Sequence, residues 1–348
     1  MPFRNLTRFM NKTIFGYVDG TPVHMVKIKK GNICASVIEY GATLQSFIVP
    51  DKNKKPLDIV LGYNTLEEYL DHAKFSGAIV GRVANRTANA SFTMNGKVYN
   101  ISQNNGKHSL HGGFKGFSKK VWKIVDYKED FVTLRYFSED MEEGYPANLE
   151  VFVTYSVGED HLKISYKAIA DGDTPLSLTN HAYFNLNGQD GEDVFDTELS
   201  INADNIVPVN NERVADGRLM DVSNTVFDFR APCPIGNILT SDDEYIKAFK
   251  GYDVCYALNG KGYREAATAK SSKSGIGLKT YTDMEGLHLY VSNIFKGIVG
   301  KGCVYGDGAS FCLETERYPN AVNCKNFPSP FIKKGQEFTS QTVYKIFY

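Results

Sequence analysis

The sequence has no hydrophobic run approaching the roughly 20 residues that span a bilayer. Its start, MPFRNLTRFMNKTIF, is interrupted by Arg4, Asn5, Arg8 and Asn11 and offers no continuous apolar segment for a secretory signal. The six cysteines include no Cys-x-x-Cys pair and lack the dense spacing of a secreted disulfide framework. These absences predict free thiols and a cytoplasmic protein that does not bind membranes.

An excess of either charge is also absent. Lys and Arg total 39 and Asp and Glu total 40, which gives a formal net charge of -1. Proteins that bind nucleic acid or anionic membranes usually carry a clear excess of positive charge. We therefore expect no nucleic-acid partner and a small, uncharged substrate, and we expect the protein to be a monomer or a weak dimer.

Several motifs for cofactors, metals and covalent nucleophiles are missing. The stretch GIVGKG at 297 to 302 matches neither the phosphate-binding loop nor the dinucleotide fingerprint. Neither Gly-x-Ser-x-Gly nor His-Glu-x-x-His is present. The sequence therefore predicts chemistry without a cofactor, a metal or a serine nucleophile.

Alternation of apolar and polar residues with period 2 dominates the chain. Runs at 149 to 157 and 162 to 168 flank Gly158-Glu159-Asp160, which predicts a β-hairpin. Further strand-like runs lie at 21 to 28, 33 to 49, 121 to 137, 287 to 293 and 338 to 348. Helix signals are few, and the capping boxes Thr65-x-x-Glu68 and Ser241-x-x-Glu244 predict two short helices. Strands that follow strands predict an all-β antiparallel sandwich or barrel. Because no stretch has the composition of a linker, we expect one domain over residues 1–348.

The stretch GRVANRTANASF, residues 81 to 92, places Arg82, Asn85 and Arg86 close together among small and polar residues. Arginine offers a planar set of N–H donors, and asparagine offers both a donor and an acceptor. This set suits sugar hydroxyls. The alternative is a solvated loop with two surface arginines.

The stretch KHSLHGGFKGF, residues 107 to 117, places His108 and His111 three residues apart. The glycines after His111 allow the backbone to approach a ligand closely. A zinc site formed with a distant third ligand is the alternative interpretation.

The stretch SLTNHAYFNL, residues 177 to 186, places His181 in what reads as a buried strand. Strand alternation predicts that His181 and Tyr183 share one face, while Asn180, Ala182 and Phe184 share the other. Such a face would combine a proton donor with an aromatic wall. The alternative is a hydrogen-bonded core histidine without a catalytic role.

The stretch ASFCLETERYPNAVN, residues 309 to 323, places Glu314 after the apolar residues Phe311, Cys312 and Leu313. Burial would raise the pKa of this carboxyl group into the working range of a general base. The alternative is an exposed turn in which Glu314 and Glu316 are solvated.

Taken in order, these stretches resemble the aldose 1-epimerase family, and in particular the galactose mutarotases. The similar blocks are Gly81 to Arg86, Leu110 to Gly113, Asn180 to Leu186, Gly251 to Asp253 and Leu313 to Ala321. The resemblance implies a large antiparallel β-sandwich with a few short helices and a site in a cleft across one sheet. It also implies an isomerase that interconverts the anomers of free galactose and glucose.

The resemblance further implies roles for particular residues. Glu314 is expected to take the proton from the C1 hydroxyl group, and His181 to protonate the ring oxygen. Such a pair works best with His181 protonated and Glu314 ionised before the ring opens. His111 is assigned both to the catalytic group and to the sugar-binding group. The other expected sugar-binding residues are Asn85, Arg86, Tyr183, Asp253 and His288.

The sequence departs from the family pattern at positions that leave the expected acid and base intact. His288 and Glu316 stand where the family usually has glutamine, Glu285 stands where proline is common, Asn320 where aspartate is common, and His108 where asparagine is common. These differences leave the preferred sugar open. Two alternative functions also stay open: a catalytically silent sugar-binding protein, and a 1-epimerase for a phosphorylated hexose.

Overall fold

The computed structural model describes residues 11–72, 74–292 and 294–348. Arg4, Asn5 and Arg8, on which the expectation about a secretory signal depends, lie outside the described residues. So does Asn293, at the end of the strand-like run 287 to 293.

Strands make up most of the regular structure. In chain order within the described ranges they are β1 (Lys12–Val18), β2 (Thr21–Lys30), β3 (Ile33–Ile38), β4 (Thr43–Pro50), β5 (Pro56–Asp58), β6 (Ile79–Val80), β7 (Arg86–Thr87), β8 (Ser91–Met94), β9 (Lys97–Asn100), β10 (Ser109–Leu110), β11 (Lys123–Tyr127), β12 (Phe131–Ser138), β13 (Leu149–Val157) and β14 (His161–Ala170). They continue with β15 (Thr174–Pro175), β16 (Thr179–Asn180), β17 (Glu198–Ile201), β18 (Asn205–Val207), β19 (Met220–Asp221), β20 (Cys233–Pro234), β21 (Asp253–Ala257), β22 (Arg264–Lys270), β23 (Gly277–Thr282), β24 (Gly286–Ser292), β25 (Ser310–Glu316), β26 (Phe331–Ile332) and β27 (Glu337–Phe347).

Helices are short. They are α1 (Leu66–His72), α2 (Glu244–Phe249) and the 3-10 helices Ala88–Ala90, Phe117–Lys119, Glu142–Gly144 and Ile235–Thr240. The predicted capping box of α1 is confirmed, because the Glu68 N–H donates to Thr65 Oγ1 (3.3 Å) and the Thr65 N–H donates to Glu68 Oε2 (2.9 Å).

The predicted cap of α2 is wrong by two residues. Asp243 caps this helix, since its carboxylate accepts hydrogen bonds from the N–H groups of Tyr245 (2.9 Å) and Ile246 (3.2 Å). Ser241 instead accepts from the Asp243 N–H (3.2 Å) and ends the preceding 3-10 helix. A carboxylate next to the first turn satisfies two unpaired donors and also complements the helix dipole.

Three larger sheets form the body of the structure. Their strand orders are β1-β2-β3-β4-β5, then β11-β12-β13-β14-β27-β23-β22-β17-β20, and finally β19-β18-β21-β24-β25. All the paired strands in them run antiparallel. The runs predicted at 33 to 49 and 121 to 137 each prove to be two strands separated by a turn.

The nine-stranded sheet packs against both five-stranded sheets. Burial alternates strictly along β13, where the side chains of Leu149, Val151 and Val153 are buried and the side chains between them are partly exposed. These residues share one hydrophobic core with Val37 of the first sheet and Leu313 of the last. The fold is therefore the antiparallel β-sandwich expected from the sequence.

Strand β25 is buried on both faces, and this places the site. Leu313 belongs to the core, and its carbonyl oxygen accepts a hydrogen bond from the Tyr344 hydroxyl of β27 (3.2 Å). The alternate residues Cys312, Glu314 and Glu316 lie on the opposite face because side chains alternate along a strand. That face is covered by other segments, so the carboxylates of β25 are buried.

The cysteines agree with an expectation from the sequence. All six cysteines are free thiols. Within residues 11–72, 74–292 and 294–348, no helix combines the length and apolar character needed to cross a membrane.

Candidate active site

A cavity of about 140 Å³ lies against the outer face of β21, β24 and β25. It is lined by all the residues to which the family resemblance gave a role: Asn85, Arg86, His111, His181, Tyr183, Asp253, His288 and Glu314. These residues come from segments more than 200 positions apart in the chain, so the sandwich alone brings them together.

His181 is held by the backbone next to the short ladder of β6 and β16. Its N–H donates to the carbonyl oxygen of Ala78 (2.9 Å), and its own carbonyl oxygen accepts from the Gly77 N–H (2.8 Å). Regular strand covers only Thr179–Asn180, but the predicted alternation persists beyond it. The ring of Tyr183 stacks on His181 with centroids 4.7 Å apart, while Phe184 packs into the core.

His181 and Glu314 form the centre of the site. Nε2 of His181 lies 3.6 Å from Oε1 of Glu314, and the two residues are 4% and 2% exposed. The other ring nitrogen, Nδ1, lies 3.7 Å from the Cys312 thiol. The pair is therefore shielded from water except through the cavity, which strengthens its electrostatic coupling to any ligand that fills the space.

Burial changes the proton affinities of both groups. It lowers the pKa of His181 to about 3, with the neighbouring His288 acting in the same direction. It raises the pKa of Glu314 well above its usual value, and the charges of Glu316 and Asp253 raise it further. Burial thus favours a protonated carboxyl group beside a neutral imidazole. The sequence-based expectation was the reverse arrangement, and the difference arises because two separated charges are costly without water.

His111 presents a fixed donor to the cavity. Its Nδ1 accepts a hydrogen bond from the Asn85 N–H (3.2 Å), so the ring proton of the neutral form is on Nε2. Burial lowers the pKa of His111 well below its usual value, and nearby His181 and Arg86 add to the effect. A neutral imidazole that donates through Nε2 suits a sugar hydroxyl oxygen.

Asp253 anchors a second group of polar side chains. Its Oδ1 lies 2.9 Å from His288 Nε2, and its Oδ2 accepts a hydrogen bond from Arg213 (2.6 Å). Burial alone would raise the pKa of Asp253, but the His288 hydrogen bond and the charges of Arg86 and Arg213 hold it well below its usual range. Asp253 is therefore ionised and available as an acceptor. Arg86 is oriented toward this group by Asn105, to which its Nε donates (3.1 Å).

Some lining residues carried no sequence signal that we recognised. They are Phe75, Arg213, Tyr290 and Ile294. The ring of Phe75 lies 4.7 Å from that of His111 and stacks on His181 at 5.9 Å. Its φ of +58° is unusual for a bulky residue and marks a segment held in place by tertiary packing, which a sequence pattern does not reveal.

Arg82 does not belong to the site, and it is not on the surface either. It is 1% exposed, and its guanidinium donates to Ser138, Thr174 and the carbonyl oxygens of Pro146 and Glu139. Its role is to hold loops together. Both sequence interpretations of this residue were wrong, because neither considered a fully bonded buried arginine.

His108 and the glycines after His111 also lie away from the cavity. Nδ1 of His108 accepts from the Asn89 N–H (3.0 Å). A Cβ atom on Gly112 would lie 1.9 Å from the carbonyl oxygen of Gly81, with φ at +83°. Gly112 therefore permits close approach of two backbone segments and not of a ligand.

Two buried groups of side chains have the ligand types that hold metals. They are His181 with Cys312 and Glu314, and Cys255 with His288 and Glu316, each with its polar atoms within 4.8 Å. Among the described residues, neither group includes His108 or His111, so the pair considered for zinc is not assembled. Both ring nitrogens of His288 already contact protein groups, Asp253 at 2.9 Å and Asn85 at 3.2 Å.

The fold and the cavity together define a β-sandwich enzyme that moves protons on a small hydroxylated ligand. Comparison with known proteins identifies the family. The model of the family described as Aldose 1-epimerase matches residues 24–345. The galactose mutarotase of Sus scrofa is 36% identical over 96% of this chain and 98% of its own length, and that of Bos taurus is 37% identical over 93% and 94%.

A solved structure agrees with these matches. The aldose epimerase homologue from C. elegans superposes with a TM-score of 0.86 at 31% identity, covering 93% of this chain and 98% of that one. The chain belongs to the aldose 1-epimerase family, and it is an enzyme of the isomerase class.

Proposed function

We propose that this enzyme interconverts the α and β anomers of free aldohexoses, galactose and also glucose. The observation that carries the proposal is the buried pair of His181 Nε2 and Glu314 Oε1, 3.6 Å apart, in a cavity lined by hydrogen-bonding groups. The two groups are close enough to act on two oxygens bonded to the same carbon. That is the geometry needed to open a hemiacetal ring.

The reaction uses the pair as base and acid. The Glu314 carboxylate takes the proton of the C1 hydroxyl group, and His181 gives a proton to the ring oxygen. The bond between C1 and the ring oxygen breaks, and the C1 carbonyl group forms. After rotation about C1–C2, the ring closes on the other face of the C1 carbonyl group. Glu314 returns its proton to the carbonyl oxygen, and His181 recovers a proton from the hydroxyl group that contains the former ring oxygen. Positioned proton transfer of this kind contributes about 10²- to 10⁴-fold.

The pKa directions fit this cycle. With a closed ring the pair is ionic, and with the open chain it consists of a neutral imidazole and a carboxylic acid. Burial favours the neutral pair, as the lowered pKa of His181 and the raised pKa of Glu314 indicate. The cavity therefore stabilises the pair in the protonation state that accompanies the open-chain sugar. Both states contain the same number of protons, so the cycle needs no exchange with solvent.

Four residues are positioned to hold the sugar hydroxyls: Asn85, Arg86, His111 and Asp253. His288 also lines the cavity and acts through Asp253, because both of its ring nitrogens already contact protein groups. Tyr183 contributes its ring, because its hydroxyl group already donates to the Lys74 carbonyl oxygen (3.0 Å). Fixed contacts of this kind keep the open chain in place while C1 turns.

The other functions considered have less support. A binding protein has no need of a buried acid and base next to each other. A phosphorylated hexose would need a cluster of cationic groups, but Arg82 lies outside the cavity and Arg213 is paired with Asp253, so of these three arginines Arg86 alone remains for a phosphate.

The test is polarimetry of freshly dissolved α-D-galactose and α-D-glucose. The native enzyme should speed the approach to anomeric equilibrium, and His181→Ala and Glu314→Ala should lose nearly all of the acceleration while still binding sugar. If the native protein binds galactose but leaves mutarotation at its spontaneous rate, it is a silent binding protein instead. Inhibition by inorganic phosphate would favour the phosphorylated substrate.

We also infer a single domain over residues 1–348, since one hydrophobic core contains residues from Val26 to Ile346. The free thiols support a cytoplasmic location, and the near-zero net charge supports the absence of a nucleic-acid partner.

A further inference from the structure

A second buried carboxylate lies beside the catalytic pair and has no role in the mechanism above. Glu316 follows Glu314 by two residues on β25, so both side chains lie on the same face of the strand. It is 0% exposed. Within the part of the chain that the structure describes, its Oε2 has no hydrogen-bond partner. A fully buried, half-satisfied carboxylate is costly, which calls for a functional explanation.

The other oxygen of Glu316 belongs to a continuous chain of polar groups. Oε1 accepts a hydrogen bond from Nδ2 of Asn85 (3.2 Å) and lies 3.6 Å from Nδ1 of His288. Nε2 of His288 lies 2.9 Å from Asp253, which in turn accepts from Arg213. This series of polar groups thus connects Glu316 with the residues expected to hold the sugar.

The Asn85 amide fixes the direction of the hydrogen bonds in this chain. Its Oδ1 accepts from the Arg86 N–H (2.8 Å), so the amino group Nδ2 is the end that faces His288 and Glu316. The two Nδ2 hydrogens then match two acceptors, Glu316 Oε1 and His288 Nδ1, both at 3.2 Å. His288 must therefore carry its proton on Nε2 and donate it to Asp253.

We propose that Glu316 is a positioning residue for the reaction. By holding the Asn85 amide it fixes His288 as a donor to Asp253, and its negative charge on the same strand face disfavours ionisation of Glu314. The inference rests on the function proposed above and assigns to Glu316 control over both sugar contacts and the general base.

The charge effect depends on whether Glu316 is ionised. Burial raises the pKa of Glu316 to about 7, against the opposing effects of neighbouring His288 and of the hydrogen bond from Asn85. The titratable groups facing it are Glu314, His288, Asp253 and Cys255. Asp253 stays ionised, and burial together with the charge of Glu316 raises the pKa of the Cys255 thiol well above its usual value. Glu316 is therefore a group whose charge changes near neutral pH beside the general base.

Two variants separate the two effects. Glu316→Gln keeps an oxygen acceptor for Asn85 but removes the charge, whereas Glu316→Met fills a similar volume with neither. We would measure kcat and KM by polarimetry between pH 5.5 and 8.5, after checking folding by thermal melting.

In the native enzyme kcat should fall as the pH rises through about 7, because ionised Glu316 disfavours ionisation of Glu314. In Glu316→Gln the profile should be flat, and kcat at pH 8 should exceed the native value by on the order of tenfold. Glu316→Met should show the same flat profile with KM raised by about tenfold, since Asn85 and His288 lose their orientation. Replacing a residue with a purely structural role would not remove the inflection in the pH profile of kcat.

An inflection that persists in Glu316→Gln would overturn the charge effect, and an unchanged KM in Glu316→Met would overturn the effect on Asn85 and His288. Failure of the native enzyme to accelerate mutarotation would reject the proposed function instead. In that case calorimetry of galactose binding decides the inference: Glu316→Met should bind about tenfold more weakly and Glu316→Gln should not.

Discussion

His288 lies directly opposite Glu314 in the ladder of β24 and β25, and its ring reaches Asp253 on the neighbouring strand β21 at 2.9 Å. The proposed base and the proposed sugar contacts are thus fixed by adjacent strands of one sheet. A sheet holds such groups more precisely than loops do, because the ladder leaves little freedom for relative movement. The expected site residues Asn85, Arg86, His111, His181 and Tyr183 approach from segments outside this sheet.

The acid and base should act as one unit. Glu314→Gln and His181→Asn should each lower kcat by about 10²- to 10⁴-fold, with a smaller effect on KM. Because either loss disables the same proton exchange, the double variant should be little worse than either single one. Polarimetry of all three variants measures this. Losses that multiply in the double variant would show that the two residues act in separate steps.

Acid should have little effect on turnover until the pH is low. The pKa of His181 is lowered to about 3 and that of Glu314 is raised, so the pair holds one proton between these limits. A second proton, which would disable the base, enters only as the pH approaches 3. We therefore expect kcat to be constant between pH 5 and pH 6. A titration of kcat with its midpoint inside that range would contradict the assignment.

Removing the Glu316 charge should stabilise the fold at alkaline pH. The folded protein binds this proton more tightly than the unfolded chain, because the pKa rises from 4.5 to about 7. The favourable contribution of protonated Glu316 to the free energy of unfolding is complete below pH 4.5 and is lost as the pH rises through 7. Glu316→Gln should therefore gain up to about 3 kcal/mol over the native protein at pH 8 relative to pH 4.5. Urea unfolding at both pH values tests this, and an equal difference at the two would refute it.

Gly112 should tolerate no side chain. In Gly112→Ala the new Cβ would lie 1.9 Å from the Gly81 carbonyl oxygen. Gly106→Ala is a matched control, since its φ is also positive, at +59°, and nothing lies within 4 Å of its Cβ position. The control should lose about 1 kcal/mol of unfolding free energy from backbone strain alone. Gly112→Ala should lose clearly more, and equal losses in urea unfolding would show that the contact relaxes freely.

The two arginines of the same loop should behave differently. Arg82→Lys removes a forked set of buried hydrogen bonds and should lower the unfolding free energy by about 3 kcal/mol without changing KM. Arg86→Lys alters a cavity residue and should raise KM with little loss of stability. Denaturation and kinetics on the same preparations distinguish these outcomes. A raised KM in Arg82→Lys would place Arg82 in sugar binding after all.

Local patterns in the sequence were sufficient for the longer strands, apart from the turns within 33 to 49 and 121 to 137, and for the helix at Thr65. Period-2 alternation identifies a strand because each residue meets either core or solvent, and that choice is visible in its side chain. The cap at Ser241 was wrong because serine and aspartate are both good caps, and the choice between them depends on where the preceding 3-10 helix ends.

The candidate site was partly readable from short blocks. His181, His111 and Glu314 stand within distinctive neighbours, so resemblance reached them. The resemblance did not identify Phe75 and Arg213, because nothing in their sequence surroundings marks them as site residues. Arg82 looked like Arg86 in sequence, yet one is buried among carbonyl oxygens and the other lines the cavity.

By itself the sequence indicated the strand pattern, the absence of the motifs for common cofactors and the candidates for the acid, the base and the sugar contacts. Tertiary structure alone decided the proton affinities of the acid–base pair, because these depend on burial and on charges brought from distant strands. It also decided that Glu316 is buried beside Glu314, where a carboxylate that would be ordinary on a surface gains influence over its neighbours.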